Sequence, residues 1–208
     1  MARKIDPKCA ECRRAGEKLF LKGEKCLGPK CPILKRNFPP GQHGPNHKHP
    51  KLSSYGKQLK EKQTVKRIYG ILERQFANYV AAASAKTGDT SKILVQYLES
   101  RLDNVVYRMG LAKSRKAARQ LVNHGHVVVN GKKVDIASYR VRVGDVVAAK
   151  EAHKGKKIFE GTSERLVKTE APGWMSIDPE KMSVKILNAP LLENPSFNAK
   201  AIIEFYSR

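Results

Sequence analysis

The chain has 208 residues, of which 40% are apolar, so it can bury a modest core in one domain or in each of two small ones. Its 41 lysines and arginines against 19 acidic residues give a formal charge of +22, which favours a polyanionic partner, nucleic acid first. No apolar run approaches the roughly 20 residues of a membrane-spanning helix, and no secretory signal or lipid anchor is evident, which predicts a cytoplasmic protein without a membrane partner.

All four cysteines lie in the first 31 residues, as Cys9-x2-Cys12 and Cys26-x4-Cys31. Disulfides that served the whole fold would be spread along the chain, and in a reducing compartment close thiol pairs are typical of metal ligands. We predict a structural zinc ion held by the four thiolates; an iron–sulfur cluster or free thiols would fit the same spacing. A thioredoxin-type redox pair is disfavoured because no strand-helix-strand pattern surrounds it.

The cysteine-bearing segment is basic, and a glycine- and proline-rich arm follows it. A bound metal would hold the basic segment in one shape and present it to phosphates. Residues 39–50 contain too many helix breakers for a regular element. There His43, His47 and His49 invite a second metal site, but contact with solvent or RNA is the simpler interpretation, and a histidine beside Gly44 can reach a phosphate or a base.

Amphipathic helices are predicted between residues 53 and 124. Apolar residues at near-helical spacing indicate one or two helices over 53–85 and a further one from about 93 to 109, which ends at Gly110. Ser114 can cap another helix over 115–124. Its apolar face would consist of Ala117, Ala118, Leu121 and Val122.

The helix over residues 115–124 carries the most informative positive charge. Arg115, Lys116 and Arg119 would share the side opposite the apolar face. A helix N-terminus with a capping serine and arginines suits a phosphate group. Charge alone would also fit an ordinary solvated helix face.

The pattern then changes to that of a small sheet. Residues 127–129 are β-branched, Asn130-Gly131 favours a type I′ turn, and 132–136 can return as the partner strand of a hairpin. A strand over 139–143, a Gly144-Asp145 turn and a strand at 146–147 would complete a sheet that packs on the two preceding helices. A short apolar stretch follows at 201–206.

Several motifs resemble the S-four family of ribosomal proteins. Two of them resemble its small RNA-binding module, which consists of two helices and a short sheet: Leu98-Glu99-Ser100-Arg101-Leu102-Asp103-Asn104-Val105-Val106-Tyr107-Arg108 and Ser114-Arg115-x-x-Ala118-Arg119-Gln120-Leu121-Val122-x-His124-Gly125-His126-Val127-x-Val129-Asn130-Gly131. Others resemble the ribosomal protein outside the module: Pro39-Pro40-Gly41-Gln42-His43-Gly44, Tyr69-Gly70-Ile71-Leu72-Glu73-Arg74-Gln75-Phe76 and Glu204-Phe205-Tyr206-Ser207-Arg208. The likeness covers nearly the whole chain and includes the cysteine-bearing N-terminal form of some bacterial members.

The resemblance implies a structural protein of the small ribosomal subunit and not an enzyme. It implies that the protein binds small-subunit rRNA directly and early, and that this binding nucleates assembly of the subunit. It also implies a position at the mRNA entrance beside neighbouring proteins. The implied partners are rRNA, mRNA and neighbouring ribosomal proteins, with the S-five protein at the entrance, and the implied role includes support of translational accuracy.

The residues predicted to contact RNA fall in two groups. The first lies in the N-terminal segment and comprises Arg13, Arg14, Lys35, Arg36, Gln42, His43 and Gly44. The second lies in the RNA-binding module and comprises Ser114, Arg115, Lys116, Arg119, Gln120, His124, His126, Asn130 and Lys132.

RNA-modifying enzymes and synthetases that carry the same module are the alternative class. Arg101-Leu102-Asp103 resembles the aspartate motif of pseudouridine synthases, but it falls inside a predicted helix of the module. The string at 181–185 resembles a synthetase nucleotide loop but lacks the preceding dinucleotide-type fold. Neither leaves room for a catalytic domain. A free-standing RNA chaperone or translational repressor is a further alternative.

We therefore predict an α+β protein in three parts. Residues 1–44 form a basic arm with the metal site, and residues 45–97, completed by 163–208, form a mostly helical domain. Residues 98–162 form the inserted helix-plus-sheet RNA-binding module. The stretch 187–201 has less charge than the resemblance would suggest.

Overall fold

The computed structural model describes residues 6–46, 51–192 and 195–207, which form an α+β fold. The chain divides into two compact units, which we call the helical unit (Met1–Leu94 with Asn194–Arg208) and the sheet unit (Val95–Glu193). The helices of the described residues are α1 Lys8–Ala15, α2 Pro32–Lys35, α3 Ser54–Tyr69, α4 Glu73–Ser84, α5 Thr90–Glu99, α6 Leu102–Arg108, α7 Arg115–Asn123, α8 Thr162–Lys168 and α9 Ala199–Tyr206. The strands are β1 Val127–Val129, β2 Lys132–Lys133, β3 Val146–Ala149, β4 Met175–Asp178 and β5 Ser183–Ile186.

The helical unit is built on α3, which packs against α9. The Ser53 hydroxyl accepts a hydrogen bond from the Gly56 amide at the start of α3, and Gly70 ends the helix in the left-handed conformation that glycine adopts without strain. The prediction of one or two helices over 53–85 is confirmed as two, α3 and α4. Their inner faces bury Val65 and Phe76 completely.

A polar cluster joins α3, α4 and α9. The Glu73 carboxylate accepts hydrogen bonds from Lys62 Nζ at 2.8 Å and from the Tyr206 hydroxyl at 2.6 Å, and it also pairs with Lys66. Lys62 Nζ lies 4.3 Å from the centroid of the Phe205 ring. Burial alone would raise the pKa of Glu73, but the hydrogen bonds from Lys62, Lys66 and Tyr206 outweigh it and lower that pKa to about 2. The ionised carboxylate therefore helps to hold the C-terminal helix in place.

The single helix predicted over residues 93–109 is wrong, because the chain breaks between α5 and α6. Arg101 is extended there and forms an isolated bridge with Arg140. The Leu102 amide donates to the Tyr139 carbonyl at 2.8 Å and so leaves the helical hydrogen-bond series. A tertiary contact thus interrupts an apolar pattern that runs through both helices. The division between the two units falls within α5.

The sheet unit contains one antiparallel sheet with the order β2-β1-β3-β5-β4. The hairpin between β1 and β2 turns at Asn130 and Gly131, which have φ values of 50° and 77°, as a type I′ turn requires. This confirms the predicted hairpin, although β2 is shorter than predicted. The predicted strand over 139–143 is wrong, since only the bridge at Arg140 forms; the Val141 amide donates instead to the Ser100 carbonyl.

The sheet contains two strands that the sequence reading did not place there. β5 pairs with β3, and its Val184 and Ile186 are fully buried in the same core as Val147 of β3. Residues 163–192 are consequently part of the sheet unit, whereas the predicted division grouped them with the helical domain. Within the last segment, the described residues from 195 on belong to the helical unit through α9.

The core of the sheet unit lies between the sheet and the helices α6 and α7. Leu102, Val105, Ala118 and Val122 from the helices are all fully buried in the same cluster as the strand residues. The predicted packing of the sheet on two helices is therefore confirmed. None of the helices in the described residues is long and apolar enough to cross a membrane.

Candidate RNA-binding surface and cysteine cluster

The first candidate surface is formed by α7. The Ser114 hydroxyl accepts a hydrogen bond from the Ala117 amide at 3.3 Å, which fixes the start of the helix as predicted. Ala118 and Leu121 are buried in the core, and Lys116 and Gln120 are exposed on the other side. The helix thus presents a capped N-terminus and a positive charge to solvent.

Arg115 is oriented by two contacts within the sheet unit. Its Nε donates to Asn104 Oδ1 at 2.8 Å, and its guanidinium carbon lies 4.5 Å from the centroid of the Tyr107 ring. Both partners belong to α6, which packs beside α7. The direction of this side chain is therefore set before any ligand arrives, which lowers the entropy cost of a contact with phosphate.

The buried carboxylate of Glu99 stabilises this arrangement through hydrogen bonds. Glu99 is 0% exposed, and its Oε2 accepts from Asn104 Nδ2 at 2.9 Å and from Arg108 Nε at 3.0 Å. Arg108 Nη2 donates to the other carboxylate oxygen at 3.1 Å. A chain of hydrogen bonds therefore runs from Glu99 through Asn104 to Arg115. The sequence motif contains these residues, but their spacing does not reveal the chain.

The predicted outward direction of Arg119 is wrong. Arg119 is only 7% exposed, and its Nη1 lies 3.9 Å from Asp103 Oδ2. Arg101, which is fully buried, makes two hydrogen bonds to the same carboxylate. Helical periodicity places Arg119 next to the apolar boundary, and attraction to the buried Asp103 carboxylate, which Arg101 also contacts, turns its side chain inwards.

The turn beyond α7 holds the remaining predicted residues of the module. Asn130 donates to Asp145 Oδ1 at 2.8 Å and accepts from the Val146 amide, so its side chain fixes the hairpin turn, while Lys132 and His124 are exposed. His126 Nδ1 lies 2.8 Å from His153 Nδ1, a partner that the sequence reading did not single out. Burial is the first cause that lowers the pKa of both histidines, and nearby cations act in the same direction.

The predicted N-terminal residues lie in the helical unit. Arg13 donates to the carbonyl groups of Phe38 and Pro39, and its guanidinium lies over the Phe38 ring, so it ties the arm to α1. Gly44 is buried, and a Cβ there would lie 2.1 Å from the Pro39 carbonyl oxygen, which explains why only glycine fits. The exposed predicted residues are Arg14, Lys35, Arg36, Gln42 and His43. His47 and His49 lie outside the described residues.

The four cysteines line one cavity of about 580 Å³. Cys12, Cys26 and Cys31 are buried, and the Lys22 amide donates to the Cys26 sulfur at 3.4 Å. Burial raises the pKa of the Cys12 thiol, and the other three cysteines raise it further, whereas a hydrogen bond from the Leu19 backbone lowers it. The fold thus brings together four thiols, two from α1 and two from the segment between α1 and α2.

The cavity also has a nearby cation without a full set of partners. Burial and the nearby Arg14 lower the pKa of the Arg67 guanidinium on α3, whereas Glu11 and Cys12 raise it. Among the residues that the structure describes, none forms a hydrogen bond with its buried Nε. Arg67 is close enough to Cys12 for their charges to interact, so its positive charge would favour an ionised thiol there. However, residues 6–46, 51–192 and 195–207 contain no group of three or more histidine, cysteine or acidic side chains arranged to hold a metal ion. The metal centre therefore stays a prediction.

Comparison with known proteins identifies the family. The Ribosomal protein S4/S9 N-terminal domain matches residues 3–99, and the S4 domain matches residues 100–147. The small ribosomal subunit protein uS4 of Acetivibrio thermocellus is 52% identical, that of Thermotoga maritima 49% and that of Thermus thermophilus 48%, and each match covers 100% of both chains. This chain therefore belongs to the bacterial uS4 family of small ribosomal subunit proteins, which are structural components of the ribosome and not enzymes.

Proposed function

We propose that this protein, a constituent of the small subunit of the cytoplasmic ribosome, binds small-subunit rRNA through the exposed side of α7 and the hairpin beside it. The observation that carries the proposal is the internal pairing of the acidic residues in α5 and α6. Glu99 is neutralised by Arg108, and Asp103 by Arg101, inside the protein. These acidic groups therefore do not repel a polyanion.

Exposed lysines surround these pairs and outnumber the one exposed acidic residue of the hairpin segment, Asp135. Lys113, Lys116, Lys132 and Lys133 are all exposed around α7 and the hairpin. Lysines at a helix N-terminus and on a hairpin suit phosphates, because the peptide dipoles of the helix add to the side-chain charge. Arg115, held by Asn104 and Tyr107, can offer a planar donor to the same backbone.

We also propose the more specific functions that the family resemblance implies. Binding to rRNA early in assembly would nucleate the subunit, and the protein would line the mRNA entrance and contact mRNA beside neighbouring ribosomal proteins, the S-five protein among them. Support of translational accuracy would follow from that position. The basic composition supports contact with more than one RNA segment.

A salt titration of rRNA binding tests the electrostatic part. We expect the logarithm of the association constant to fall linearly with the logarithm of salt concentration, by up to about 0.9 for each phosphate neutralised. Lys116→Gln should reduce the magnitude of that slope by up to about 0.9, the value for one phosphate contact. Lys168→Gln, which removes an exposed lysine on α8, is the matched control. A slope near zero for the unmodified chain would contradict the proposal.

Co-sedimentation tests ribosome membership separately. The protein should migrate with assembled small subunits after the free protein has been removed. Recovery only in free ribonucleoprotein particles would favour a free-standing RNA chaperone or translational repressor instead.

We also propose that Cys9, Cys12, Cys26 and Cys31 hold a structural metal, with zinc preferred and an iron–sulfur cluster as the alternative. What supports this is the shared cavity, the amide hydrogen bond to Cys26 and the positive charge of Arg67 near Cys12. The core beside the cavity is small and consists mainly of Ala15, Leu19 and Ile33. Ligation would supply folding free energy that so few apolar contacts do not.

Metal analysis and limited proteolysis test this proposal together. Elemental analysis should find one zinc per chain, or about four irons with visible absorbance for a four-iron cluster. Cys26→Ser should open the segment before residue 45 to protease and leave the thermal transition of the rest in place. A fully reduced chain that carries neither metal, yet keeps this segment protected, would refute the proposal.

A further inference from the structure

We infer that a basic groove in the sheet unit binds an unpaired nucleotide of RNA. The groove rests on the proposed RNA-binding function but shares no residue with the surface proposed around α7. Its volume of about 560 Å³ lies within the range of roughly 300 to 1,000 Å³ found for pockets that enclose small ligands. Its lining includes Tyr97, Ser100, Tyr139, Arg140, Arg142 and Pro190.

The floor of the groove is a stacked pair. The Arg140 guanidinium carbon lies 4.0 Å from the centroid of the Tyr97 ring, and Tyr97 is buried beneath it. The neighbouring residue Tyr139 is 37% exposed. Aromatic rings and guanidinium planes are the surfaces on which proteins stack unpaired bases. The groove therefore offers two such surfaces on adjacent residues.

The charge of the groove favours a nucleotide over an uncharged ligand. Arg140 and Arg142 are both exposed, and no acidic side chain is among the lining residues that the structure describes. A phosphate beside the stacked base would be attracted by these two cations. A segment of a neighbouring protein would need acidic side chains to match them, and it would make less use of the stacked floor.

The groove is preformed by backbone hydrogen bonds. The Tyr139 carbonyl accepts from Leu102 at 2.8 Å, and the Val141 amide donates to Ser100 at 2.9 Å. The Arg142 amide donates to Asp145 Oδ2 at 2.8 Å. These bonds hold residues 139–142 against the break between α5 and α6, so that binding needs little ordering of the backbone.

Binding of small-subunit rRNA to the full chain tests the inference. Tyr139→Ala should weaken binding by about 5- to 150-fold, the range expected for loss of one stacked base. Tyr139→Phe keeps the ring and should bind like the unmodified chain. Arg142→Gln should weaken binding and reduce the magnitude of the salt slope by up to about 0.9, the value for one phosphate contact. Lys168→Gln removes a charge outside the groove and serves as the control.

Photo-cross-linking identifies the occupant. With 4-thiouridine-substituted small-subunit rRNA, we expect cross-linked peptides that contain residues 139–142, and we expect Tyr139→Ala to lose them. Wild-type affinity in both Tyr139→Ala and Arg142→Gln would overturn the inference, as would the absence of rRNA cross-links at residues 139–142 in assembled subunits that cross-link elsewhere on the chain. If the unmodified chain itself fails to bind rRNA, the proposed function fails and not the groove alone.

Discussion

The buried carboxylate of Glu99 should be a main determinant of the stability of the sheet unit. Glu99→Ala removes side-chain hydrogen bonds that include one from Asn104 and two from Arg108. Asn104 is buried and would lose a partner, whereas Arg108 is partly exposed and can recover water. Breaking a buried ion pair costs about 3 to 5 kcal/mol, and the partial exposure of Arg108 favours the lower end.

The single tryptophan makes this measurable in the full chain. Trp174 is buried in the same core as α6, so its fluorescence follows unfolding of the sheet unit. A loss of about 3 kcal/mol should lower the midpoint of that thermal transition by roughly 12 to 24 °C. Glu99→Gln, which keeps the shape but not the charge, should lower it by less. Glu170→Ala, at an exposed site, is the control.

A small effect would refute this reasoning. Surface substitutions usually change stability by no more than about 0.5 kcal/mol, which corresponds to about 2 to 4 °C here. If the midpoint of Glu99→Ala lies within that range of the unmodified chain, the hydrogen bonds of Glu99 contribute nothing net to folding.

Three further predictions follow from the polar contacts of the fold. Arg119→Ala should lower the Trp174 midpoint while Lys116→Ala leaves it unchanged and weakens rRNA binding; the reverse pattern would show that our assignment of the two faces of α7 is wrong. Because the pKa of Glu73 is about 2 against an ordinary 4.5, its contribution is complete above pH 4.5 and is lost as the pH falls towards 2. Denaturant titrations followed by circular dichroism should therefore show a stability difference between the unmodified chain and Glu73→Gln at pH 6 that shrinks progressively below pH 4.5 and is largely lost at about pH 2. The neutral pair of His126 and His153, whose pKa values are lowered from 6.5, stabilises the fold above pH 6.5 and loses this effect as the pH falls below it. After correction for the slower intrinsic exchange at lower pH, the protection of the amides in residues 151–159 should therefore decrease as the pH falls, and His153→Gln should remove that pH response.

Local sequence signals were enough for the elements whose ends depend on nearby residues. The capped α7 and the hairpin turn at Asn130-Gly131 follow from hydrogen bonds and backbone preferences within a few residues. Their residues also carry the family resemblance, and through it the RNA-binding class. Charge composition pointed independently to a polyanionic partner.

Only the tertiary structure decided the features that depend on distant residues. The break between α5 and α6 arises because the Leu102 amide donates its hydrogen bond to the Tyr139 carbonyl instead of continuing the helix. No residue near the break predicts it. The inward direction of Arg119 depends on the burial of Asp103, and the addition of β5 to the sheet depends on its pairing with β3. In each case a contact across many residues supplies more free energy than the local preference, so the periodicity of the sequence alone is a weak guide.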